Sequence, residues 1–284
     1  MRSPTCSTSS ARAGEPLAGT AVASTWRWLG VEYRGAWPSR AEEVPWPTPV
    51  GAWLDRFRAA PGTRVQLLRR PERRGPPAAV FADTTPGAER AWQLPLADLV
   101  ALDSDAVLGG EASATPLGPS AWVCTHGQRD VCCARHGGRV FAALRERLDD
   151  AVWQTSHLGG HRFAATLLWL PEGLSYGRLR PAEAPALAEA ALAGRVHDLQ
   201  RLRGRTAWSR PVQAAEIALR RHLGLHDLAA PALVAEEVDA EHARIAFEVD
   251  GTRHEVLLER RELAQPVIAS CAKAPAATSA WYAL

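Results

Sequence analysis

Lysine is almost absent from this chain of 284 residues: Lys273 is the only one, and all the other basic residues are arginines. The formal net charge is only +2. Proteins that bind nucleic acid or an anionic membrane surface through their charge carry a much larger basic excess. We therefore predict neither a nucleic acid partner nor a membrane partner, and we attribute the arginine excess to coding bias.

Long apolar runs are missing as well. No segment approaches the roughly 20 apolar residues that a membrane-spanning helix needs. The N-terminus, M-R-S-P-T-C-S-T-S-S-A-R-A-G-E-P, contains no apolar stretch of the kind that a secretory signal peptide requires. Together these two absences predict a cytoplasmic protein.

The five cysteines do not form a disulfide framework. Their number is odd, and three of the five are clustered at positions 124, 132 and 133. In a reducing compartment such a cluster more often binds a metal or carries out redox chemistry. Cys6 lies in a segment rich in Ser, Thr and Ala, where a solvated thiol is expected, and Cys271 has no partner nearby in the sequence.

The spacing of apolar residues predicts an α/β protein with several modules. One module has the predicted order strand, helix, strand, strand, and the next repeats that order and adds a helix. In the second module a strand over 121–123 precedes a helix predicted over 138–148. The last module is α+β, with a hairpin indicated by Asp250-Gly251. The predicted parts are a flexible N-terminal tail at 1–24, an N-terminal α/β module at 25–105, a second, related α/β domain at 119–200 and a small C-terminal α+β module at 209–284.

Two pairs of potential metal ligands lie between Val123 and His161. Cys124 and Cys133 form a C-x8-C pair, and His157 and His161 form an H-x3-H pair. Two cysteines and two histidines can hold a [2Fe–2S] cluster or a tetrahedral zinc ion. We favour the cluster because glycines surround the ligands, and because C-x8-C differs from the short cysteine knuckles of structural zinc sites.

The same stretch offers competing assignments. His126 and His136 stand at C-x-H and C-x2-H spacings from Cys124 and Cys133, and so imitate a Rieske motif. Only six residues separate His126 from Cys133, which is short for two separate ligand loops. Cys132, directly beside Cys133, is interpreted as a non-ligand. A thiol oxidoreductase that uses these two adjacent cysteines is disfavoured, because the sequence has no C-x-x-C motif.

The sequence resembles the sucrase/ferredoxin-like family, a branch of the thioredoxin-like [2Fe–2S] ferredoxins. The resemblance covers about residues 5–200, and its motifs are C-T-H-G-Q-R-D-V-C-C at 124–133, S-H-L-G-G-H-R-F-A at 156–164 and P-E-G-L-S-Y-G-R at 171–178. It implies a thioredoxin-like ferredoxin domain at 119–200 and a [2Fe–2S] cluster. The ligands that it implies are Cys124, Cys133, His157 and His161. The family's name refers to sucrose cleavage, but no paired carboxylates are placed here for glycoside hydrolysis.

These features predict a one-electron carrier or redox sensor more than a catalyst. Its expected partner is a redox protein, either a reductase or an acceptor, whose identity the sequence does not indicate. The alternative is a zinc-binding structural or interaction protein that uses the same four ligands. Two imidazole ligands should raise the reduction potential above that of an all-cysteine cluster, because each neutral ring replaces an anionic thiolate.

Overall fold

The protein is described by a computed structural model that covers residues 4–72, 75–109 and 115–284. Over these residues, none of the helices combines the length and apolar character that crossing a membrane requires. The α-helices are α1 Cys6–Arg12, α2 Thr48–Ala59, α3 Ser104–Gly109, α4 Val131–Leu148, α5 Ala184–Leu192 and α6 Arg210–Leu223. The strands are β1 Arg27–Glu32, β2 Thr63–Arg69, β3 Ala78–Asp83, β4 Arg90–Pro95, β5 Thr115–Pro116, β6 Ser120–Cys124, β7 Val152–Thr155, β8 Leu167–Leu170, β9 Leu174–Tyr176, β10 Leu202–Arg205, β11 Ala232–Val238, β12 His242–Val249, β13 Thr252–Glu262, β14 Val267–Ile268, β15 Pro275–Ala276 and β16 Ser279–Ala283.

Ten of the strands form one large sheet, in the order β10-β9-β8-β6-β7-β2-β1-β3-β4-β5. The sheet has two halves with the same connectivity. In one half β1 and β2 are parallel and joined through α2, while β3 and β4 follow as antiparallel neighbours. In the other half β6 and β7 are parallel and joined through α4, while β8 and β9 follow in the same way. A helical crossover is what a parallel pair of strands needs.

The two halves meet where β2 pairs antiparallel with β7, through Leu68 with Thr155 and Arg69 with Gln154. The predicted α/β class is confirmed, and the common connectivity agrees with a first module related to the second. Both predicted modules contribute strands to one continuous sheet. The domain boundaries placed between them in the sequence stay a prediction.

The N-terminal segment differs from the predicted flexible tail. Residues 1–3 lie outside the described residues, and Cys6–Arg12 form α1, whose first turn is capped by the side chain of Thr5. Cys6 is 0% exposed, so the predicted solvated thiol is wrong. The helix α1 packs against the one-turn 3-10 helix His161–Phe163 and against β14. The Ser and Thr residues on which the prediction of a tail was based provide a helix cap instead, a position that both residue types favour.

The C-terminal region packs α6 against a separate sheet in the order β11-β12-β13-β16. Asp250 and Gly251 have φ of +49° and +73° and join β12 to β13, which confirms the predicted hairpin. Glu216 on α6 accepts hydrogen bonds from Arg205, at the end of β10, and from Arg220. All three side chains are buried. This ion-pair group joins α6 to the edge of the large sheet.

Candidate metal centre

Two buried cysteines come together where β6 ends and α4 begins. Cys124 is the last residue of β6, and its backbone N–H donates to the carbonyl of Thr166 at 3.0 Å. Cys133 lies in the first turn of α4. Their exposed fractions are 0% and 1%. The C-x8-C spacing therefore connects a strand end to a helix start through one short turn.

The helix α4 begins at Val131, earlier than the predicted start at Gly138. Its cap is Asp130, whose carboxylate accepts the N–H of Cys132 at 2.9 Å. A Cβ atom on Gly137 would lie 1.9 Å from the carbonyl oxygen of Cys124, whereas a Cβ on Gly138 would meet nothing within 4 Å. Gly137 is thus what allows α4 to pass close to the end of β6.

Both histidines lie in the loop that follows β7. Between them, Gly159 and Gly160 have φ of +92° and +71°, a conformation that glycine adopts readily. His161 begins the one-turn helix His161–Phe163. The two imidazole rings stack with their centroids 4.8 Å apart at an angle of 26°. The predicted loop conformation for the H-x3-H pair agrees with the structure.

Three of the four predicted ligands converge. Cys124, Cys133 and His157 each offer one ligand atom to a set that lies within 4.8 Å, and the Cys133 Sγ is 3.8 Å from the His157 Nδ1. His161 stands outside that set, with its Nε2 3.9 Å from a carboxylate oxygen of Asp130. Its Nδ1 is buried and has no hydrogen-bond partner among the residues that the structure describes. An unpaired buried ring nitrogen beside a converging ligand set is consistent with a metal ligand.

Burial and hydrogen bonding shift the pKa values of Cys124, Cys133 and His161, and only Cys124 and His161 shift toward the forms that bind metals. A hydrogen bond from Cys133 lowers the pKa of the Cys124 thiol well below its ordinary value, against the effect of burial. The same contact, together with burial, raises the pKa of Cys133. Burial, and then the nearby charge of His157, lower the pKa of His161 and keep its ring neutral. Thiolates and neutral imidazoles are the forms that bind metals.

The histidines of the competing Rieske-like set have other contacts. His126 is buried, its Nε2 lies 2.7 Å from the carbonyl oxygen of Pro38, and its ring packs edge-on against Trp37 at 5.6 Å. His136 lies 3.5 Å from the Ser7 hydroxyl through its Nε2. Among the described residues, neither ring belongs to a set of ligand atoms within 4.8 Å.

A second set of ligand atoms includes the helix cap Asp130. It joins that carboxylate to the thiols of Cys6, Cys132 and Cys271, again within 4.8 Å. Cys132, which the sequence suggests is not a cluster ligand, lies with its Sγ 3.5 Å from that of Cys6. Sequence reasoning missed this group because Cys6 and Cys271 are 265 positions apart and no local motif links them.

His157 forms the exposed edge of the site that contains Cys124 and Cys133. His157 is half-buried and lines a cleft of about 620 Å³, whereas both cysteines are buried. The guanidinium of Arg64 donates to the His157 carbonyl at 3.1 Å. The charged residues that line the cleft are Arg40, Glu42, Glu43, Arg58, Arg64 and Arg129. The cleft therefore contains an imidazole between basic and acidic side chains.

Comparison with known proteins gives one family match. The model of the family described as sucrase/ferredoxin-like matches residues 20–204. The wild-type thioredoxin-like [2Fe-2S] ferredoxin from Aquifex aeolicus shares 18% identity, with 30% of this chain and 94% of that chain covered and a TM-score of 0.27. A cysteine-to-serine variant of that ferredoxin gives 18% identity, coverage of 30% and 97%, and a TM-score of 0.27. The comparison with curated proteins gives no match.

Proposed function

The chain belongs to the sucrase/ferredoxin-like family, and on that premise we propose that it is a one-electron carrier or redox sensor. In this proposal Cys124, Cys133, His157 and His161 hold a [2Fe–2S] cluster. The observation that carries the proposal is the convergence of two buried thiols with His157, on whose ring His161 stacks. Such a cluster, when bound, supplies one reversible electron transfer. The protein contributes the burial of the thiols and a lowered pKa at His161, which favours its neutral ring.

The position of His161 favours a dinuclear cluster over the zinc alternative. A tetrahedral zinc ion with bonds of about 2.0–2.3 Å holds all four ligand atoms within about 4 Å of one another. Cys124, Cys133 and His157 meet within 4.8 Å, but His161 lies outside that set. A cluster with two irons divides its ligands into two pairs, so it does not require His161 to share one tetrahedron with the other three ligands.

A thiol oxidoreductase that uses the adjacent Cys132 and Cys133 as its dithiol finds little support in the contacts of these two residues. A dithiol mechanism needs two thiols that can attack one another. Cys132 instead contacts Cys6 and Cys271, and Cys133 contacts the group around Cys124 and His157. The two adjacent cysteines thus belong to different side-chain groups.

We propose further that a reductase or acceptor protein exchanges electrons at the exposed edge of His157. The cleft there presents both arginine and glutamate side chains, which would orient a partner of complementary charge. The absence of nucleic acid and membrane partners and the cytoplasmic location stay predictions from the sequence.

Metal analysis of protein purified without oxygen tests the cluster directly. We expect about two iron and two sulfide per chain, a brown colour and an EPR signal after one-electron reduction. His157→Ala should remove most of this iron, because it deletes one ligand of the converging set. His126→Ala is the matched control, and it should keep the iron because that ring contacts Pro38 instead. Colourless protein with stoichiometric zinc at these ligands would refute the proposal.

The reduction potential should depend on pH. An imidazole ligand would have a lower pKa on the oxidised cluster, which is more positive, than on the reduced cluster. At a pH between these two pKa values, reduction is accompanied by the uptake of one proton. The potential should therefore fall as pH rises, at most by about 59 mV per pH unit for one proton and one electron. His161→Cys should lower the potential and weaken its pH dependence. A potential that is constant from about pH 6 to 10 would contradict solvent-accessible histidine ligation.

A further inference from the structure

Three cysteine thiols from distant parts of the chain meet beside the proposed cluster site. Cys6 begins α1, Cys132 lies in the first turn of α4, and Cys271 follows β14. The three Sγ–Sγ distances are each 3.5 Å. The carboxylate oxygens of Asp130 lie 3.6 and 3.7 Å from the Cys6 Sγ. The proposed electron carrier uses none of these three thiols.

The size of this triangle suits a single metal ion. Thiolates bound to tetrahedral zinc at about 2.3 Å have sulfur atoms about 3.8 Å apart. Sulfur atoms at 3.5 Å therefore need to separate only slightly to accept such an ion.

Hydrogen-bond donors lie next to two of the three sulfur atoms, those of Cys132 and Cys271. The backbone N–H of Cys6 donates to the Cys271 Sγ at 3.4 Å. Cys132 is near the N-terminus of the 18-residue helix α4, whose partial positive charge favours a thiolate. The Ser7 hydroxyl lies 3.3 Å from the Cys132 Sγ. These contacts provide donors for thiolates before any ion enters.

Asp130 is held where it can serve as a fourth ligand. One of its carboxylate oxygens accepts the N–H of Cys132 at 2.9 Å. The other accepts the N–H of Cys271 at 2.9 Å and the hydroxyl of Ser270 at 3.3 Å. A carboxylate offers about four lone-pair positions, so three hydrogen bonds leave one for a metal ion. Three thiols and one fixed carboxylate complete a four-coordinate set.

We propose that Cys6, Cys132, Cys271 and one oxygen of Asp130 bind a single Zn²⁺, separate from the iron–sulfur site. The three sulfur atoms bind the ion as thiolates, and any proton that a free thiol still carries is released to solvent. The ion joins the beginning of the chain and the C-terminal region to the first turn of α4, which also carries Cys133. It thus acts as a structural site that fastens these two segments to α4, whose own start is already capped by Asp130.

Zinc and iron are measured together on the full-length protein, purified without oxygen from cells grown with both metals. We expect about one zinc per chain, with about three sulfur neighbours near 2.3 Å in X-ray absorption at the zinc edge. Cys271→Ser, at an exposed position, should lower the zinc content at least tenfold and leave the iron in place. The control Ala272→Ser places the same side chain on the next exposed residue and should keep the zinc.

The reciprocal variant separates this proposal from the proposed function. His157→Ala should lose iron and keep zinc, so that each variant empties a different site. Zinc that survives Cys271→Ser but disappears in His157→Ala would mean that zinc occupies the first site, which would overturn both proposals. Wild-type protein without zinc, or with two of the three thiols joined in a disulfide, would overturn the zinc proposal alone. The X-ray absorption measurement uses the wild-type chain and does not depend on how any variant folds.

Discussion

Gly137→Ala is expected to abolish cluster binding, whereas Gly138→Ala is expected to preserve it. An alanine Cβ at 137 would lie 1.9 Å from the carbonyl oxygen and 3.0 Å from the carbonyl carbon of Cys124. Both are backbone atoms, so no rotamer change relieves the overlap and α4 must move away from β6. That movement separates Cys133 from Cys124. A Cβ at 138 meets no atom within 4 Å.

The two variants should also differ in stability, with opposite signs. Overpacking at Gly137 costs about 1–3 kcal/mol or more, because the obstacle is rigid backbone. Alanine at Gly138 should stabilise the helix by about 0.5–1 kcal/mol, since it reduces the backbone freedom of the unfolded chain. Iron content and denaturant unfolding of both variants check this expectation. Equal iron content in the two would show that the close approach of α4 to β6 is not needed.

The same two glycines explain why the start of α4 is wrong in the sequence prediction. Glycine in a helix interior costs about 1 kcal/mol relative to alanine, so a glycine pair indicates a helix boundary when only propensity is considered. In the structure Gly137 is required by a contact with a strand, which local propensity does not contain. Asp130 was the available signal for the true start, since aspartate is a favoured helix cap.

The local spacing of Cys and His predicted the first set of ligand residues, but it could not predict the second set around Asp130. Cys124, Cys133 and His157 converge because a strand–helix–strand unit of predictable type connects them. The thiols of Cys6 and Cys271 approach each other only after α1 and the segment that follows β14 have packed beside α4. No periodicity or motif relates two such positions. Sequence composition suggested instead that Cys6 was solvated.

Glu216→Ala is expected to destabilise the C-terminal half of the protein strongly. The Glu216 Oε1 accepts from the Nε of Arg205 at 3.1 Å and from the Nε of Arg220 at 2.9 Å, and all three side chains are at most 1% exposed. Removing the carboxylate leaves two buried guanidinium groups without that counter-charge. Breaking a buried ion pair in this way costs about 3–5 kcal/mol.

Glu255→Ala is the matched control, because Glu255 also lies between two arginines but does so in solvent. Its carboxylate is 3.1 Å from Arg244 and 3.2 Å from Arg253, with side chains 41–55% exposed. Exposed pairs contribute about 0–1 kcal/mol, so the control should unfold close to the wild type in urea. If Glu216→Ala also matched the wild type, the buried group would not be holding α6 to the sheet edge. Arg205 ends β10 and Glu216 lies on α6. Loss of the ion pair between them should therefore loosen the C-terminal region and, with it, the position of Cys271.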